Sequence, residues 1–133
     1  MNKAMQLLLR ALLMTTMFFA VSAVAQNAHT SSQFLGPTAN KGHVTHSTRD
    51  GKCVLTLSDD FVVPDTPDPH WQVVDSDGQA YLLDKLKKKS LPGDKYQKEI
   101  ILPSYVKNVK TVVIWCAWAE TNSGEASFSS PVM

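Results

Sequence analysis

Cys116 is the residue of this chain with the clearest capacity for chemistry, and it lies between two tryptophans in the apolar segment VVIWCAWAE, residues 112–120. A thiol acts as a nucleophile or redox centre only as thiolate, and its pKa falls only near a cation, a helix N-terminus or a metal. The adjacent side chains are apolar, and on an extended strand Lys110 would be roughly 20 Å away. The sequence therefore predicts that any activation of this thiol comes from elsewhere in the fold.

Cys53 is the second cysteine, and it allows three interpretations of Cys116. A structural Cys53–Cys116 disulfide is favoured, because exported domains face an oxidising compartment and a bridge closing this loop would contribute roughly 4 kcal/mol on the loop-entropy model. A second interpretation is that both cysteines are unpaired buried thiols, and a third is a redox or metal-binding role for Cys116. A bridge requires the two Cα atoms to lie within about 7 Å, so the strand geometry decides.

The segment PDTPDPHW, residues 64–71, places two carboxylates, an imidazole and an indole on a proline-stiffened loop. Asp65, Asp68, His70 and Trp71 could form the rim of a small-molecule or sugar-binding site, since a pre-ordered loop loses little entropy on binding. The alternative, which we favour, is a crossing loop in which Trp71 fills the core and the aspartates cap turns.

Residues that bind metals are present but do not form a recognisable set. His43 and His46 are three residues apart, so they point to opposite faces of a straight strand. His29 and His70 are further candidates, but no histidine follows Cys116 as it would in a blue-copper site. We expect exposed imidazoles and predict no metal or other cofactor, with haem and copper left open.

The first 25 residues have the pattern of a secretory signal peptide. Lys3 and Arg10 precede an uncharged apolar run, and Ala23-Val24-Ala25 provides a small-x-small cleavage site. The apolar run is shorter than the roughly 20 residues that span a bilayer, and no later segment approaches that length. We expect a secreted or periplasmic protein with no membrane span after cleavage. The formal net charge of +1 gives no electrostatic reason to expect nucleic-acid binding.

Apolar residues after this leader alternate with polar ones, which predicts strands rather than helices. The dipeptides Asp50-Gly51 and Asp77-Gly78 are typical of hairpin turns. The segment VKTVVIWCAWAE, residues 109–120, is apolar on both faces and indicates a central strand. These patterns favour an all-β fold, an antiparallel β-sandwich of about seven to nine short strands.

The domain boundaries follow from composition. Residues 26–40 are mostly small and polar, and we expect them to form a loose N-terminal segment. Residues 41–133 would then form a single domain, closed by the short edge strand GEASFSS.

Three segments, CVLTLSDDF, TPDPHWQVV and YQKEIILPSYVKNVKTVVIWCAWAETNSGEASF, follow one another in the chain. In this order they resemble the DM-thirteen domain, a small extracellular module that is also found beside DOMON and cytochrome b-type membrane domains. The resemblance covers residues 42–128. Its most specific parts are Leu102 and Pro103, followed by Ile114, Trp115 and Cys116.

The resemblance implies a β-sandwich with a role in extracellular redox chemistry or electron transfer, centred on Cys116 and serving a membrane or periplasmic redox protein. The chain departs from the family at Thr66, where glycine is usual, and at Cys53, which lies outside the family pattern. We expect a non-enzymatic redox-accessory or binding module. The alternatives are a structural or small-ligand-binding or carbohydrate-binding sandwich with a Cys53–Cys116 disulfide, and an enzyme with a site at Cys116.

Overall fold

The computed structural model describes residues 27–87 and 97–133, so the predicted signal peptide lies outside the described residues. Seven β-strands occur within these two ranges. They are β1 (Val44–Arg49), β2 (Lys52–Leu57), β3 (Pro69–Asp75), β4 (Ala80–Lys85), β5 (Glu99–Ile101), β6 (Val109–Cys116) and β7 (Thr121–Val132). The described ranges contain no helix of the length and apolarity that a membrane crossing needs.

The strands form two antiparallel sheets with the orders β1-β2-β5 and β4-β3-β6-β7. Side chains from both sheets join one hydrophobic cluster, in which Leu55 of β2 and Ile114 of β6 are fully buried. Neither sheet can shield its apolar face from water alone, so burial of the shared cluster holds the two layers together. The predicted all-β antiparallel sandwich is confirmed.

Both Asp-Gly dipeptides form the predicted turns. Between β1 and β2, Asp50 and Gly51 have positive φ angles of 52° and 74°, the combination with which a two-residue turn matches the twist of its strands. Between β3 and β4, Gly78 has a φ of 86°, and the Asp75 carboxylate accepts hydrogen bonds from two backbone N–H groups of the turn, both at 2.9 Å. Local residue chemistry therefore sets the register of both hairpins.

β6 is central, as predicted, because it pairs with β3 on one side and with β7 on the other. Its residues Val112, Val113 and Ile114 are all buried, so both faces of the strand are covered. β7 is at the edge of its sheet, but with 12 residues it is not the short strand expected. It continues beyond GEASFSS because Val132 pairs with Val109 at the start of β6.

The segment before β1 is ordered, contrary to the prediction of a loose N-terminus. Phe34 is 0% exposed, and its ring packs against that of Phe61 with the centroids 5.1 Å apart. The backbone N–H of Ser31 donates to a carbonyl oxygen of β1, and that of Leu35 donates to one of β7, so the segment joins both sheets. Burial of the large aromatic ring outweighs the polar composition of the segment, which belongs to the folded domain.

Candidate functional site

Cys116 is the last residue of β6, between β3 and β7. The chain then reverses through residues 117–120, here named the 117–120 turn, and continues as β7. The backbone N–H of Ala117 donates to the carbonyl oxygen of Asp68 at 2.9 Å. This bond ties the turn to residues 65–68, the 65–68 loop, which leads into β3. Two segments that are distant in the sequence thus meet around the end of β6.

The sulfur of Cys116 is surrounded by backbone N–H groups. Hydrogen bonds from the N–H of Ala119 above all, and from those of Asp68 and Trp118, hold the pKa of the Cys116 thiol below its ordinary value, although removal from solvent opposes them. Dipoles aimed at a sulfur favour its charged thiolate form. The residue is also shielded, with only 1% of it exposed. The activation therefore comes mainly from the main chain two and three residues after Cys116, and only in part from distant residues, whereas the sequence predicted that all of it comes from elsewhere in the fold.

The shape of the 117–120 turn explains why its N–H groups point at the sulfur. Cys116 is extended, and the chain bends back through the turn to Glu120, which has a positive φ of 52°. A short side chain with an acceptor atom at the start of such a turn accepts from N–H groups two and three residues ahead, as Ser, Thr, Asp and Asn do at a helix N-terminus. Cys116 caps this turn with sulfur in place of oxygen.

Thr66 supplies the remaining polar group near the sulfur. Its hydroxyl helps to lower the pKa of Cys116, yet the hydroxyl oxygen is buried and makes no regular hydrogen bond with the described chain. The hydroxyl can affect the pKa without a regular hydrogen bond if it faces the sulfur at a distance or angle beyond the usual limits. Sulfur is a weak acceptor, and its contacts with donors are longer than those of oxygen. Thr66 therefore adds a hydroxyl to the surroundings of the sulfur.

Cys53 lies in a different environment. It belongs to β2 in the other sheet, and burial raises the pKa of its thiol to about 11. Together with Val106, which lies shortly before β6, it lines a cavity of about 660 Å³. A thiol with so high a pKa stays protonated at neutral pH and is a poor nucleophile.

The predicted Cys53–Cys116 disulfide is wrong, because both cysteines are free thiols. Cys53 lies beside the residues that precede β6, whereas Cys116 ends that strand. The length of β6 separates them by roughly 20 Å at the rise of a strand, and a disulfide tolerates about 7 Å between Cα atoms. The two thiols therefore act independently of each other.

Three of the four residues of the predicted ligand rim are at least partly exposed, and the fourth is not. Trp71 is in the core with 2% of it exposed, as the favoured interpretation of this loop expected. Asp68 is paired with Lys85 at 3.0 Å and with His70 at 3.1 Å, and the hydrogen bond from Lys85, more than the interaction with His70, holds the pKa of Asp68 below its usual range. Asp65 lines a cavity of about 440 Å³.

The smaller cavity shares a wall with the surroundings of the sulfur. It is lined by Asp65, Thr66, Pro67, Pro69, Lys85 and Leu86. Thr66 lines this cavity and also approaches the sulfur of Cys116. A small molecule in the cavity would therefore be separated from the thiol by the Thr66 side chain.

The four residues that mark the DM-thirteen resemblance beside the cysteine have two structural roles. Leu102 and Pro103 line the larger cavity, at the end of the sandwich that holds Cys53. Ile114 is fully buried and Trp115 is half-buried in β6. The first pair shapes the cavity, and the second anchors the strand that ends in Cys116.

Residues 27–87 and 97–133 contain no group of three or more histidine, cysteine, aspartate or glutamate residues that could hold a metal ion. Comparison with models of known protein families, with curated proteins and with solved structures gives no significant match. The surroundings of Cys116 are therefore the main guide to function.

Sequence reasoning missed the groups that act on Cys116 and Asp68. The donors from Ala119 and Trp118 are backbone N–H groups, which any residue could supply and which leave no sequence signature. Lys85 reaches Asp68 because β4 is paired with β3, and such pairing is known only once the sheet is assembled. Thr66 alone had a signal, because the DM-thirteen domain that the sequence resembles usually has glycine at this position.

Proposed function

We propose that this chain is an exported DM-thirteen-like domain with a redox-accessory role, in which Cys116 is the reacting group. The observation that carries this proposal is the set of backbone N–H groups directed at the Cys116 sulfur, which favours its thiolate. The segments that carry the resemblance also converge there, since the 65–68 loop and the end of β6 meet at this residue. Cys53, with its raised pKa, offers no comparable centre.

The reaction we assign to Cys116 is a two-electron oxidation by a peroxide. The thiolate attacks one peroxide oxygen, the O–O bond breaks, and sulfur becomes a sulfenic acid while the second oxygen leaves as hydroxide or alkoxide and takes a proton from water. The N–H groups of the 117–120 turn that bind the thiolate can also bind a sulfenate. Cys53 is too distant to resolve it, so an external thiol attacks the sulfur, forms a mixed disulfide and releases water.

Access to the sulfur requires movement of the loops that cover it. Cys116 is almost completely buried, so an oxidant or a partner thiol reaches it when the 117–120 turn or the 65–68 loop opens. Trp118 in the turn is 76% exposed, and an exposed indole is a common anchor for a protein partner. We infer that a redox partner, membrane-bound or periplasmic, contacts Trp118 and shifts the turn.

The test compares two single-cysteine variants. Cys53→Ser retains Cys116, Cys116→Ser retains Cys53, and each is exposed to hydrogen peroxide in the presence of a sulfenic-acid trap such as dimedone. We expect mass spectrometry to find the trapped adduct on Cys116 in the native state, with little on Cys53. Thr66→Val, which removes the neighbouring hydroxyl and keeps the side-chain shape, should slow the reaction at Cys116.

Two results would contradict the proposal. One is an adduct on Cys116 only after unfolding in urea, and the other is preferential oxidation of Cys53. The ultraviolet absorbance of the thiolate gives an independent reading, because it should appear at lower pH for Cys116 than for Cys53, whose pKa is about 11.

A second candidate function, a ligand-binding module, is favoured by the larger cavity. Its volume of about 660 Å³ is typical of small-molecule sites. The walls combine the aliphatic residues Ile101, Leu102 and Val106 with Lys52 and Lys107, and the described residues that line it include no aromatic ring. Such a lining suits an organic anion with a short apolar body, such as an alkyl or aryl carboxylate, better than a sugar that stacks on a ring.

This candidate is tested by titrating hexanoate and benzoate while recording backbone amide spectra. Binding predicts saturable shifts around the cavity that weaken at least several-fold in Lys52→Gln and in Lys107→Gln. Lys110→Gln is the control, because Lys110 donates to the carbonyl oxygen of Ser129 at 3.1 Å and does not line the cavity. Shifts that do not saturate, or that survive both substitutions, would remove this function.

A further inference from the structure

His29 and His46 face each other through their Nδ1 atoms, which are 3.0 Å apart. Their ring centroids are 5.3 Å apart and the ring planes differ by 25°. This centroid separation is close to the largest that the nitrogen contact permits, so the two nitrogens lie near the line that joins the ring centres. The Nδ1 positions of two imidazoles are therefore directed at a common point between them.

The backbone, rather than the rings, brings the two histidines together. The N–H of His46 donates to the carbonyl oxygen of His29 at 2.8 Å, and Thr30 bridges Thr45 of β1. The N–H of His29 donates to the Asn27 side-chain oxygen at 3.0 Å. The pair is thus positioned by main-chain contacts that do not require the rings to bond to each other.

The contact of the second ring nitrogen of His46, Nε2, determines whether its Nδ1 carries a proton. Its Nε2 faces the carbonyl oxygen of Met133, which only accepts hydrogen bonds, so Nε2 carries the proton. The Nδ1 of the neutral ring then carries a lone pair. Without another occupant, the space between the rings holds one proton, on the Nδ1 of His29.

We propose that His29 and His46 form a two-coordinate site for one soft monovalent cation, of the class of Cu(I), bound in line between the two Nδ1 atoms. The cation takes the place of the shared proton, which is released to solvent. Imidazole nitrogen is a good ligand for copper. Two nitrogens in line satisfy a linear centre, and the described residues place no third histidine, cysteine or carboxylate there to complete a larger set.

The two Nδ1 atoms must move apart slightly when the cation binds between them. Metal–imidazole bonds of about 2.0 Å would place the two nitrogens roughly 4 Å apart in a linear complex, against 3.0 Å in the structure. His29 is exposed and can retreat by this amount, whereas His46 is held by Met133. A divalent ion such as Zn²⁺ would lack the further ligands that complete its tetrahedral set.

The test uses Ag(I), a redox-inert monovalent probe, and the chain labelled with ¹⁵N in its imidazoles. The cysteine thiols also bind silver, so the readout must resolve each ring nitrogen. We expect the Nδ1 signals of His29 and His46 to shift together along one titration curve and both to couple to the same silver nucleus. The signals of His43 and His70 should stay in place.

Variants then separate a shared site from two separate histidines. His29→Ala and His46→Ala should each lower the affinity of the imidazole site for Cu(I), measured by competition with a chromogenic chelator, by at least tenfold. The double variant should lose no more than either single variant, because both nitrogens bind one ion, and His43→Ala should change nothing.

Four results would overturn the site. They are a shift of one ring without the other, binding to the thiols alone, additive losses in the double variant, and Nδ1 signals that respond to protons but not to silver. The amide spectrum of each variant shows whether it is folded, so an unfolded variant cannot be mistaken for a lost ligand.

Discussion

Cys53 and Cys116 lie at opposite ends of β6, the first beside the residues that lead into this strand and the second at its last position. They also differ in chemistry, because burial raises the pKa of Cys53 to about 11 while backbone N–H groups lower that of Cys116. One strand therefore separates an inert thiol from an activated one.

The first prediction is that the protein contains two free thiols. Alkylation of the protein after denaturation without reductant should add two labels, and reductant should leave its Tm unchanged because no bridge is lost. A disulfide would instead stabilise the fold by roughly 4 kcal/mol, and its reduction would lower the Tm markedly. Labels that appear only after reduction would show that the two ends of β6 can approach each other.

The second prediction concerns the segment before β1. Phe34→Ala should lower the free energy of unfolding by about 3 to 5 kcal/mol, because it empties the space of a fully buried ring. The neighbouring Leu35→Ala is a matched control, since Leu35 is 69% exposed and should change stability by no more than about 0.5 kcal/mol. Urea denaturation measures both, and equal small effects would mean that the segment is loose after all.

The third prediction concerns the close approach of the same segment to β7. A Cβ atom on Gly124 would lie 2.1 Å from the carbonyl oxygen of Ala39, so Gly124→Ala must displace backbone. We expect a loss of about 3 kcal/mol. Gly78→Ala is the control, because a Cβ there meets no atom within 4 Å and the cost comes from the φ of 86° alone, about 1 to 2 kcal/mol. Thermal unfolding should show a larger fall in Tm for Gly124→Ala than for Gly78→Ala. A larger fall for Gly78→Ala would refute the close approach of Gly124 to Ala39.

The fourth prediction is a pH dependence at Asp68. Lys85, and to a lesser degree His70, hold the pKa of Asp68 below its usual range, so its carboxylate stabilises the fold above the unfolded-state pKa of about 3.9. That contribution is lost as the pH falls through the lower folded-state pKa. Asp68→Asn should therefore lower the urea midpoint modestly at neutral pH, since the pair is partly exposed, and the difference should vanish in strong acid.

Asp77→Asn is the control for this pH dependence, because it changes an exposed carboxylate in a turn that asparagine also favours. Its urea midpoint should match that of the unmodified chain at both pH values. A difference between Asp68→Asn and the unmodified chain that persists in acid would assign the effect to packing rather than to charge.

Much of the fold was predictable because its signals are local. Alternation of apolar residues marks a strand within a few positions, and Asp50-Gly51 accommodates the positive φ angles that its turn requires. A strand that is apolar on both faces, such as β6, has to be covered on both. The length of β7 was missed because its last residues are held by pairing with β6 rather than by their own pattern.

The candidate site was predictable only in part. The apolar side chains beside Cys116 indicated that activation comes from elsewhere in the fold, and this was wrong in part, because the backbone N–H groups of Ala119 and Trp118 belong to the same segment. The predicted disulfide was wrong because the order of the strands in the two sheets decides which cysteines lie close together. The prediction rested on an oxidising compartment and on the length of the loop that a bridge would close, and neither depends on the strand order. The pairing of His29 with His46 was equally hidden, since it depends on a segment that the composition presented as loose.

The sequence by itself determined the strands, the hairpin turns and the central position of β6, because periodicity and φ preferences act between neighbours. Only the tertiary structure decided which backbone N–H groups surround Cys116, how far Cys53 lies from it, and which imidazole faces His46. The turn after Cys116 supplies two of these N–H groups locally, but the approach of Asp68, the position of Cys53 and the pairing of the histidines depend on register and on the packing of distant segments.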